Sequence, residues 1–503
     1  MSELEAFFTR IRTGGLTDLR NGQIGRNFPI DAGFGPQPLL YADYVASGRA
    51  LVQVEDFVRA HVLPFYANSH TEASWCGSAM TQMREQARAA IVHCVGGDES
   101  CKAIFTGAGA TAGINMLVSL LGIRQTLDSG KRVVVLVGPY EHHSNILPWR
   151  ESGAEIVQIA EDLVRGGPDL ARLEEALLEA QSAALTIGAF SACSNVTGII
   201  TDTDAVTRLL KQYGALAIWD YAGGGPYLPI RMSPDHDCMK DAIILSTHKF
   251  PGGPGASGVT VVRESVIRNL RPHRPGGGTV SFVSPWSHTY SHSVTAREEG
   301  GTPNVVGDIR AALVMLAKEA IGADLILRHA ETLRARALKA WQGVAGLHLL
   351  GPLSGVRALP ILSFRVTDRS GAAIHHQLFV RMLSDVYGIQ ARGGCACAGP
   401  YGHQLLQISK EQSARIEQNL DQGAELEKPG WVRLNLSCMH DESDINRILT
   451  SVPDLITRAD TLADQFTVDP ATARFFCKRA GPRASVTPTF LNPAPLDGIR
   501  KTA

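Results

Sequence analysis

The first half of the chain alternates short apolar runs with amphipathic helical stretches, and this alternation limits the folds that it can adopt. Near-continuously apolar runs are typical of strands that are covered by other structure on both faces. Amphipathic helices are indicated between them, for example at 170–181 and 202–214. Strand and helix in repeated succession predict a mostly parallel α/β sheet. The strand candidates are residues 102–106, 132–137, 155–160, 184–190, 215–220, 242–246 and 258–262.

The pattern changes after about residue 265. Glycine-rich loops are indicated at 271–282 and 297–307, and a long helical region follows at 305–343. Beyond it, apolar runs at 359–366 and 431–437 predict further strands with helices between them. This second part of the chain is typical of a smaller α+β domain.

Composition excludes several classes of function. A hydrophobic fraction of 44% and a charged fraction of 19% over 503 residues describe a globular protein with a large core. A net charge of −1 gives no electrostatic basis for binding nucleic acid or an anionic membrane. The sequence has no signal-peptide pattern and no apolar run long enough to span a membrane. The nine cysteines lack zinc-ligand spacing, so we expect no metal and reduced thiols in a cytoplasmic protein.

Polar residues follow several of the predicted strands. Lys249 lies in "LSTHKFPGG", where it either displays charge or is chemically linked to a ligand. The turn in "IFTGAGATAGINMLV" presents free backbone N–H groups to a phosphate, or else is an ordinary strand-to-helix turn. Asp220 ends an apolar strand and either lines a ligand crevice or caps a helix. His142, His143 and Asn195 follow two further strands.

A phosphate cradle, an aromatic ring, an amide, a carboxylate and a lysine at successive strand ends form the set that pyridoxal 5′-phosphate (PLP) requires. Lysine forms a Schiff base with this cofactor. A carboxylate opposite the pyridine nitrogen keeps the ring protonated, which makes it an electron sink. The residues therefore predict PLP as cofactor, with Lys249 as its anchor and Asp220 as the acid.

Seven strings in order carry a resemblance to a known family. The sequence resembles the class V aminotransferase family of fold-type I PLP enzymes between about residues 38 and 450, and within it the cysteine desulfurases and selenocysteine lyases. The strings are "YADYVASG" (41–48), "GATAGIN" (109–115), "EHHSNILPW" (141–149), "SNVTG" (194–198), "STHKFPGGPGASG" (246–258), "PGGGT" (275–279) and "GTPN" (301–304).

The resemblance implies an α/β fold of fold-type I. In this fold a large domain with a mostly parallel seven-stranded sheet is joined to a smaller α+β domain. We therefore expect an N-terminal extension over residues 1–37, a large PLP-binding domain over 38–305, a smaller domain over 306–465 and a tail over 466–503.

The resemblance also implies roles for residues around the cofactor. His142 would stack on the ring, and Asn195 would lie near its phenolic oxygen and the substrate. The family has a glutamine or histidine where this chain has Gly223, so that contact must come from elsewhere. Thr279 would reach the phosphate of a neighbouring subunit, which implies a homodimer with shared sites. The remaining cofactor-binding residues are Ala110 through its amide, Thr111, Asp220, Ala222, Ser246, His248 and Lys249.

The string "ARGGCACAGPYGHQLL" (391–406) bears on the reaction. It resembles the desulfurase segment in which Cys397 is the catalytic cysteine and Arg392 the leading arginine. The alternative is that Cys395 and Cys397 are small buried residues. Cys395 stands where many desulfurases have histidine, and it could resolve a persulfide, bind a metal or do neither. Arg433, in the closing pattern of the family, would hold the substrate α-carboxylate, or else form a structural salt bridge.

The resemblance implies that L-cysteine is converted to L-alanine, with Lys249 and His142 moving protons and Cys397 receiving the sulfur. A sulfur-accepting protein is then an expected partner. An aminotransferase, a C–S lyase or an epimerase of another amino acid would use the same anchor without Cys397. A non-catalytic scaffold that retains a PLP site is a further alternative.

Overall fold

A computed structural model describes residues 2–68 and 71–479 of the chain. In this part of the chain no helix combines the length and the apolar character that crossing a membrane requires. The α-helices are Glu3–Asn21, Val52–Phe57, Trp75–Cys94, Gly109–Leu120, Ile123–Asp128, Leu147–Glu151, Leu170–Glu179, Thr203–Gln212, Val294–Glu298, Val305–Ile321, Ala323–Trp341, His376–Tyr387, Gly399–Leu405, Lys410–Asp421 and Glu442–Ala463.

A seven-stranded sheet organises the first half of the chain, as the alternating pattern predicts. Its spatial order is β1-β7-β6-β5-β4-β2-β3, and all strands run parallel except β7, which is antiparallel to β1 and β6. The predicted fold class, α/β with a mostly parallel sheet, is therefore confirmed. The strands are β1 Cys101–Gly107, β2 Val133–Val137, β3 Glu155–Gln158, β4 Leu185–Ser191, β5 Leu216–Asp220, β6 Ala242–Leu245 and β7 Gly258–Arg263.

Strand β2 shows why these runs are almost continuously apolar. Val134 and Leu136 pack into one hydrophobic core, whereas Val133, Val135 and Val137 pack into another on the opposite face of the sheet. Because successive side chains of a strand point to opposite faces, both sets must be apolar when helices cover both faces. The two cores together leave the carboxyl ends of the parallel strands as the open edge of the sheet.

A smaller antiparallel sheet lies in the second half of the chain. Its order is β8 Leu347–Leu349, β9 Ile361–Thr367, β11 Trp431–Asn435 and β10 Arg392–Gly394, with Ala373–Ile374 pairing beside β9. Helices His376–Tyr387 and Glu442–Ala463 pack with it in a separate core. The observed α+β arrangement is the one that the sequence predicts for this part.

The long helical region consists of two helices that meet at Gly322. The φ of Gly322 is 93°, a backbone conformation that favours glycine, and the chain changes direction there. Helix Val305–Ile321 packs in the same core as the large sheet, as does helix Glu3–Asn21 of the N-terminal extension. Strands Phe466–Asp469 and Arg474–Cys477 form a hairpin at the start of the predicted tail, and residues 480–503 of that tail lie outside the described residues.

The remaining strands are short. Leu40–Tyr41 pairs in parallel with Ile389–Gln390 and so joins the N-terminal region to the segment that precedes β10. The other short strands are Pro29–Ile30, Gln37–Pro38, Val280–Val283 and His288–Tyr290. The pairing of Leu40–Tyr41 matters for the site, because the residues that follow this strand, up to residue 46, lie at the open edge of the large sheet.

Candidate active site

A cavity of about 290 Å³ lies at the carboxyl ends of the parallel strands. This is the edge at which open α/β sheets bind ligands. All predicted site residues except Thr279 contribute to its lining. They are Ala110, Thr111, His142, Asn195, Asp220, Ala222, Ser246, His248, Lys249, Arg392, Cys397 and Arg433.

The turn after β1 forms a cradle of backbone groups. Helix Gly109–Leu120 begins there, so its first N–H groups have no partner within the helix. Ala110 donates its backbone N–H to Ser246 Oγ at 3.1 Å. Gly109 has a φ of 63°, and a Cβ there would lie 2.9 Å from both Ser246 Oγ and His248 Cε1. The turn at 109–110 and the segment at 246–248 are therefore packed closely enough to enclose a small anion such as a phosphate.

Thr111 adds a side-chain hydroxyl to this cradle, next to the segment that follows β2. Its hydroxyl forms a 2.7 Å hydrogen bond with Ser144 Oγ, and Ser144 also lines the cavity. Sequence reasoning did not single out Ser144, although it lies within the quoted string "EHHSNILPW". A hydroxyl at that position adds a further donor to the phosphate end of the site.

Lys249 and Asp220 both line the cavity; Asp220 is buried and Lys249 is half-buried. The Lys249 amine has no hydrogen bond or ion pair among the described residues, and burial lowers its pKa while Asp220 opposes this effect. Burial raises the pKa of Asp220, and within the described part of the chain only its Oδ1 has a hydrogen bond, from the backbone N–H of Ala222 at 2.7 Å. A lysine whose pKa is lowered gives up its proton more readily and so becomes a better nucleophile, and a buried carboxylate with a free oxygen can pair with a ring N–H.

His142 is held as a neutral ring. Burial is the first cause that lowers its pKa to about 3, and the nearby Lys249 charge acts in the same direction. The backbone N–H of Ser144 donates to His142 Nδ1 at 3.1 Å. The ring proton is therefore on Nε2, and an uncharged imidazole faces the cavity, where it can stack on an aromatic ligand.

Asn195 makes a contact that the sequence did not predict. Its amide Nδ2 donates to the carbonyl of Ala396 at 2.8 Å, and its Oδ1 has no partner among the described residues. Gly223 lies beside it, and a Cβ there would be 3.6 Å from Cys193 Sγ and 3.8 Å from Asn195 Cβ. The absence of a side chain at position 223 thus leaves unfilled space beside Asn195, because neighbouring residues do not pack into it.

Cys397 is exposed at the mouth of the cavity on a loop from the smaller sheet. Ala396 and Cys397 have φ values of 52° and 54°, so two successive non-glycine residues are left-handed. His143 holds this loop twice: its backbone N–H donates to Cys397 O at 2.9 Å, and its Nε2 accepts from the Gly399 N–H at 2.8 Å. Of the adjacent histidines, His142 faces the cavity and His143 anchors the loop.

The two predicted substrate-binding arginines are cross-strand neighbours. Arg392 of β10 is paired directly with Arg433 of β11. Asp43 lies between them and accepts hydrogen bonds from Arg392 Nε at 2.9 Å and Arg433 Nη2 at 3.0 Å. Arg433 Nη1 also donates to the carbonyl of Asn195 at 3.1 Å. Asp43 is a residue that sequence reasoning missed, since the string "YADYVASG" was quoted as a landmark only.

Thr279 is not part of this cavity. It is fully buried, and its hydroxyl donates to the carbonyl of Gly276 at 2.7 Å. Its predicted role concerns a neighbouring subunit, and within one chain the hydroxyl is turned toward its own loop.

Two further side chains line the cavity without having been predicted, Ser191 and Cys193 at the end of β4. In the part of the chain that the structure describes, no group of three His, Cys, Asp or Glu residues is arranged to hold a metal ion.

The side chains and backbone groups that line the cavity fit PLP. They provide phosphate donors, an unpaired lysine amine, a carboxylate with a free oxygen and a flat neutral ring. The residues present therefore match this cofactor and its amino-acid chemistry.

Comparisons with known proteins agree with this geometry. A family model described as "Aminotransferase class-V" matches residues 40–448. A "probable cysteine desulfurase" of Halalkalibacterium halodurans is 27% identical over 384 residues, which cover 75% of this chain and 89% of the relative. A "cysteine desulfurase" of Klebsiella pneumoniae is 28% identical over 387 residues, covering 75% and 89%.

The solved structures that resemble this chain support the fold. The cysteine desulfurase of Thermococcus onnurineus NA1 superposes with a TM-score of 0.67 at 22% sequence identity, covering 83% of this chain and 94% of that chain. At this identity the likeness establishes the architecture, a large mostly parallel sheet with a smaller second sheet.

Proposed function

The chain belongs to the aminotransferase class-V family of PLP-dependent enzymes, and from this premise we propose that it is a cysteine desulfurase. It converts L-cysteine to L-alanine and carries the sulfur as a persulfide on Cys397. One observation carries the choice of reaction: an exposed thiol, on a loop that His143 holds, lines a cavity that contains Lys249, Asp220 and Arg433. The curated relatives support the same reaction.

The proposed cofactor site uses residues from four strand ends, those of β1, β2, β5 and β6. Ala110, Thr111, Ser246 and His248 would hold the phosphate of PLP. Lys249 would attach the cofactor, Asp220 would keep its ring nitrogen protonated, and His142 and Ala222 would pack against its ring. Bound in this way, PLP supplies an electron sink that stabilises negative charge at the substrate α-carbon.

Side chains of the protein bind the substrate, transfer its α-proton and receive its sulfur. Arg433 binds the α-carboxylate, and the Lys249 amine removes the α-proton and returns it. The Cys397 thiolate attacks the substrate γ-sulfur, so a sulfur–sulfur bond forms as the carbon–sulfur bond breaks. The electron pair of that bond stays on carbon and is protonated to give the methyl group of alanine. L-cysteine and the Cys397 thiol thus become L-alanine and the Cys397 persulfide without an external oxidant or reductant.

Three further features belong to this proposal. The enzyme acts as a homodimer, and Thr279 could reach the phosphate site of a partner only if its loop rearranged, because its hydroxyl is buried and bonded to Gly276 within one chain. The exposure of Cys397 supports transfer of the outer sulfur to the thiol of an acceptor protein. All nine cysteines are free, which supports a cytoplasmic enzyme.

A product assay tests the proposal, and Cys395 provides a matched control two residues from Cys397. Cys395 is partly buried and packs against the core that contains Trp431 and Tyr401. We expect Cys397→Ser to lose alanine formation from L-cysteine at least about a hundredfold, and Cys395→Ser to retain most of it. Both variants should keep the absorbance of the bound cofactor. Pyruvate in place of alanine would indicate a lyase, and a keto acid derived from cysteine would indicate transamination; either would contradict the proposal.

A further inference from the structure

Asp43 is held firmly at the mouth of the cavity. It follows the short strand Leu40–Tyr41, and its side chain is only 10% exposed. Its carbonyl accepts hydrogen bonds from the Tyr41 hydroxyl at 3.1 Å and from the Ala46 N–H at 2.9 Å. Val45 and Ala46, which follow it, line the cavity directly. The backbone therefore presents this carboxylate in one position.

The carboxylate separates two like charges. Arg392 and Arg433 are directly opposite on adjacent antiparallel strands, an arrangement that is destabilising for two cations. Asp43 accepts from one guanidinium through each of its oxygens, Oδ2 from Arg392 and Oδ1 from Arg433. The three side chains together carry one net positive charge.

The hydrogen bonds also determine which guanidinium nitrogens remain available to a ligand. Arg433 uses Nη2 for Asp43 and Nη1 for the carbonyl of Asn195, and it is almost fully buried. Arg392 uses only Nε for Asp43, and its two terminal nitrogens have no hydrogen-bond partner among the described residues. The side chain of Arg392 is half exposed. Its terminal fork is thus a second place where an oxyanion could bind.

We propose that Asp43 is a positioning residue that selects substrates with a single carboxylate. It orients Arg433 for the α-carboxylate and neutralises one of the two guanidinium charges, so one net positive charge meets one α-carboxylate. An acidic group on the β-carbon, as in L-aspartate or L-cysteine sulfinate, would face the terminal nitrogens of Arg392. Because Asp43 already offsets the charge of that guanidinium, the second acidic group is attracted less strongly. This inference rests on the proposed function and specifies the substrate class of the same site.

Equilibrium binding tests the inference separately from catalysis. Binding of L-alanine, with one carboxylate, and of L-aspartate, with two, is followed by the absorbance of the cofactor in the holoenzyme. In Asp43→Asn we expect L-alanine to bind more weakly and the ratio of the L-aspartate Kd to the L-alanine Kd to fall by at least about tenfold. Asp43→Glu should restore most of the original ratio, and Asp56→Asn, at an exposed pair with Arg59, is the control for a lost surface charge.

A second variant keeps the test decisive if Asp43→Asn does not fold. Arg392→Gln leaves Asp43 facing Arg433 alone, so the cluster becomes neutral and the Kd of L-alanine should rise by about tenfold. An unchanged Kd ratio in Asp43→Asn, or an unchanged L-alanine Kd in Arg392→Gln, would overturn the inference. Absence of alanine formation by the wild-type enzyme would instead refute the proposed function, while the binding comparison would still report on Asp43.

Discussion

The loop that carries Cys397 is predicted to depend on the His143 side chain. His143→Leu removes the acceptor for the Gly399 N–H and leaves the backbone contact from residue 143 to Cys397 in place. His143→Gln is the matched control, because its side-chain oxygen reaches about as far as the imidazole Nε2 and also accepts a hydrogen bond. The comparison therefore changes one hydrogen bond and little else.

The size of the effect follows from the conformation of the loop. Left-handed φ values at Ala396 and Cys397 cost roughly 1–2 kcal/mol each for non-glycine residues. Three hydrogen bonds oppose this cost: two involve His143, and the third joins Asn195 to Ala396. Each contributes about 1 kcal/mol, and an unsatisfied donor adds a further penalty. Loss of one bond should lower the population of the loop at the cavity by about tenfold.

Single-turnover formation of alanine from L-cysteine measures this population. We expect about a tenfold lower rate in His143→Leu, a rate within about twofold of wild type in His143→Gln, and an unchanged cofactor absorbance in both. Adding Ala396→Gly to His143→Leu should recover much of the rate, because glycine adopts a left-handed conformation without the steric cost. A wild-type rate in His143→Leu, or equal losses in the leucine and glutamine variants, would refute the reasoning.

Two further predictions concern a buried amine and an open space. Burial lowers the pKa of Lys318 to about 7 from an ordinary 10.5, so its contribution to the free energy of unfolding is complete above pH 10.5 and is lost as the pH falls to 7. Urea titrations should show wild type losing about 2 kcal/mol between pH 9 and pH 7 that Lys318→Met does not lose. Equal pH dependences would contradict this prediction. Gly223→Gln should fold with a stability within about 0.5 kcal/mol of wild type, because a Cβ there meets nothing closer than 3.6 Å, and should shift the cofactor absorbance; a large loss of stability would show that the space is not available.

Much of the site could be predicted because it depends on strand ends. The residues after β2, β4, β5 and β6 converge since parallel strands end at one edge of a sheet, so Lys249, Asp220 and His142 share a cavity as the sequence indicates. The limits of each strand are marked by the apolar run itself, which explains why predicted and observed bounds agree closely.

The contacts between distant segments could not be predicted in the same way. Asp43 meets Arg433 across 390 residues, and Asn195 meets Ala396 across 201. No local periodicity encodes such pairs, because they depend on how the smaller sheet is docked against the large one. The left-handed backbone at Cys397 was equally hidden, since the loop has no glycine at that position to indicate it.

The central claim is that the amine of Lys249 attaches PLP. Reduction of the purified holoenzyme with borohydride, followed by proteolysis and mass spectrometry of the lysine-containing peptides, tests this claim most directly. We predict a pyridoxyl group on Lys249 and no cofactor attached by reduction in Lys249→Ala. A pyridoxyl group on a different lysine, or equal labelling of the Lys249→Ala variant, would contradict the account.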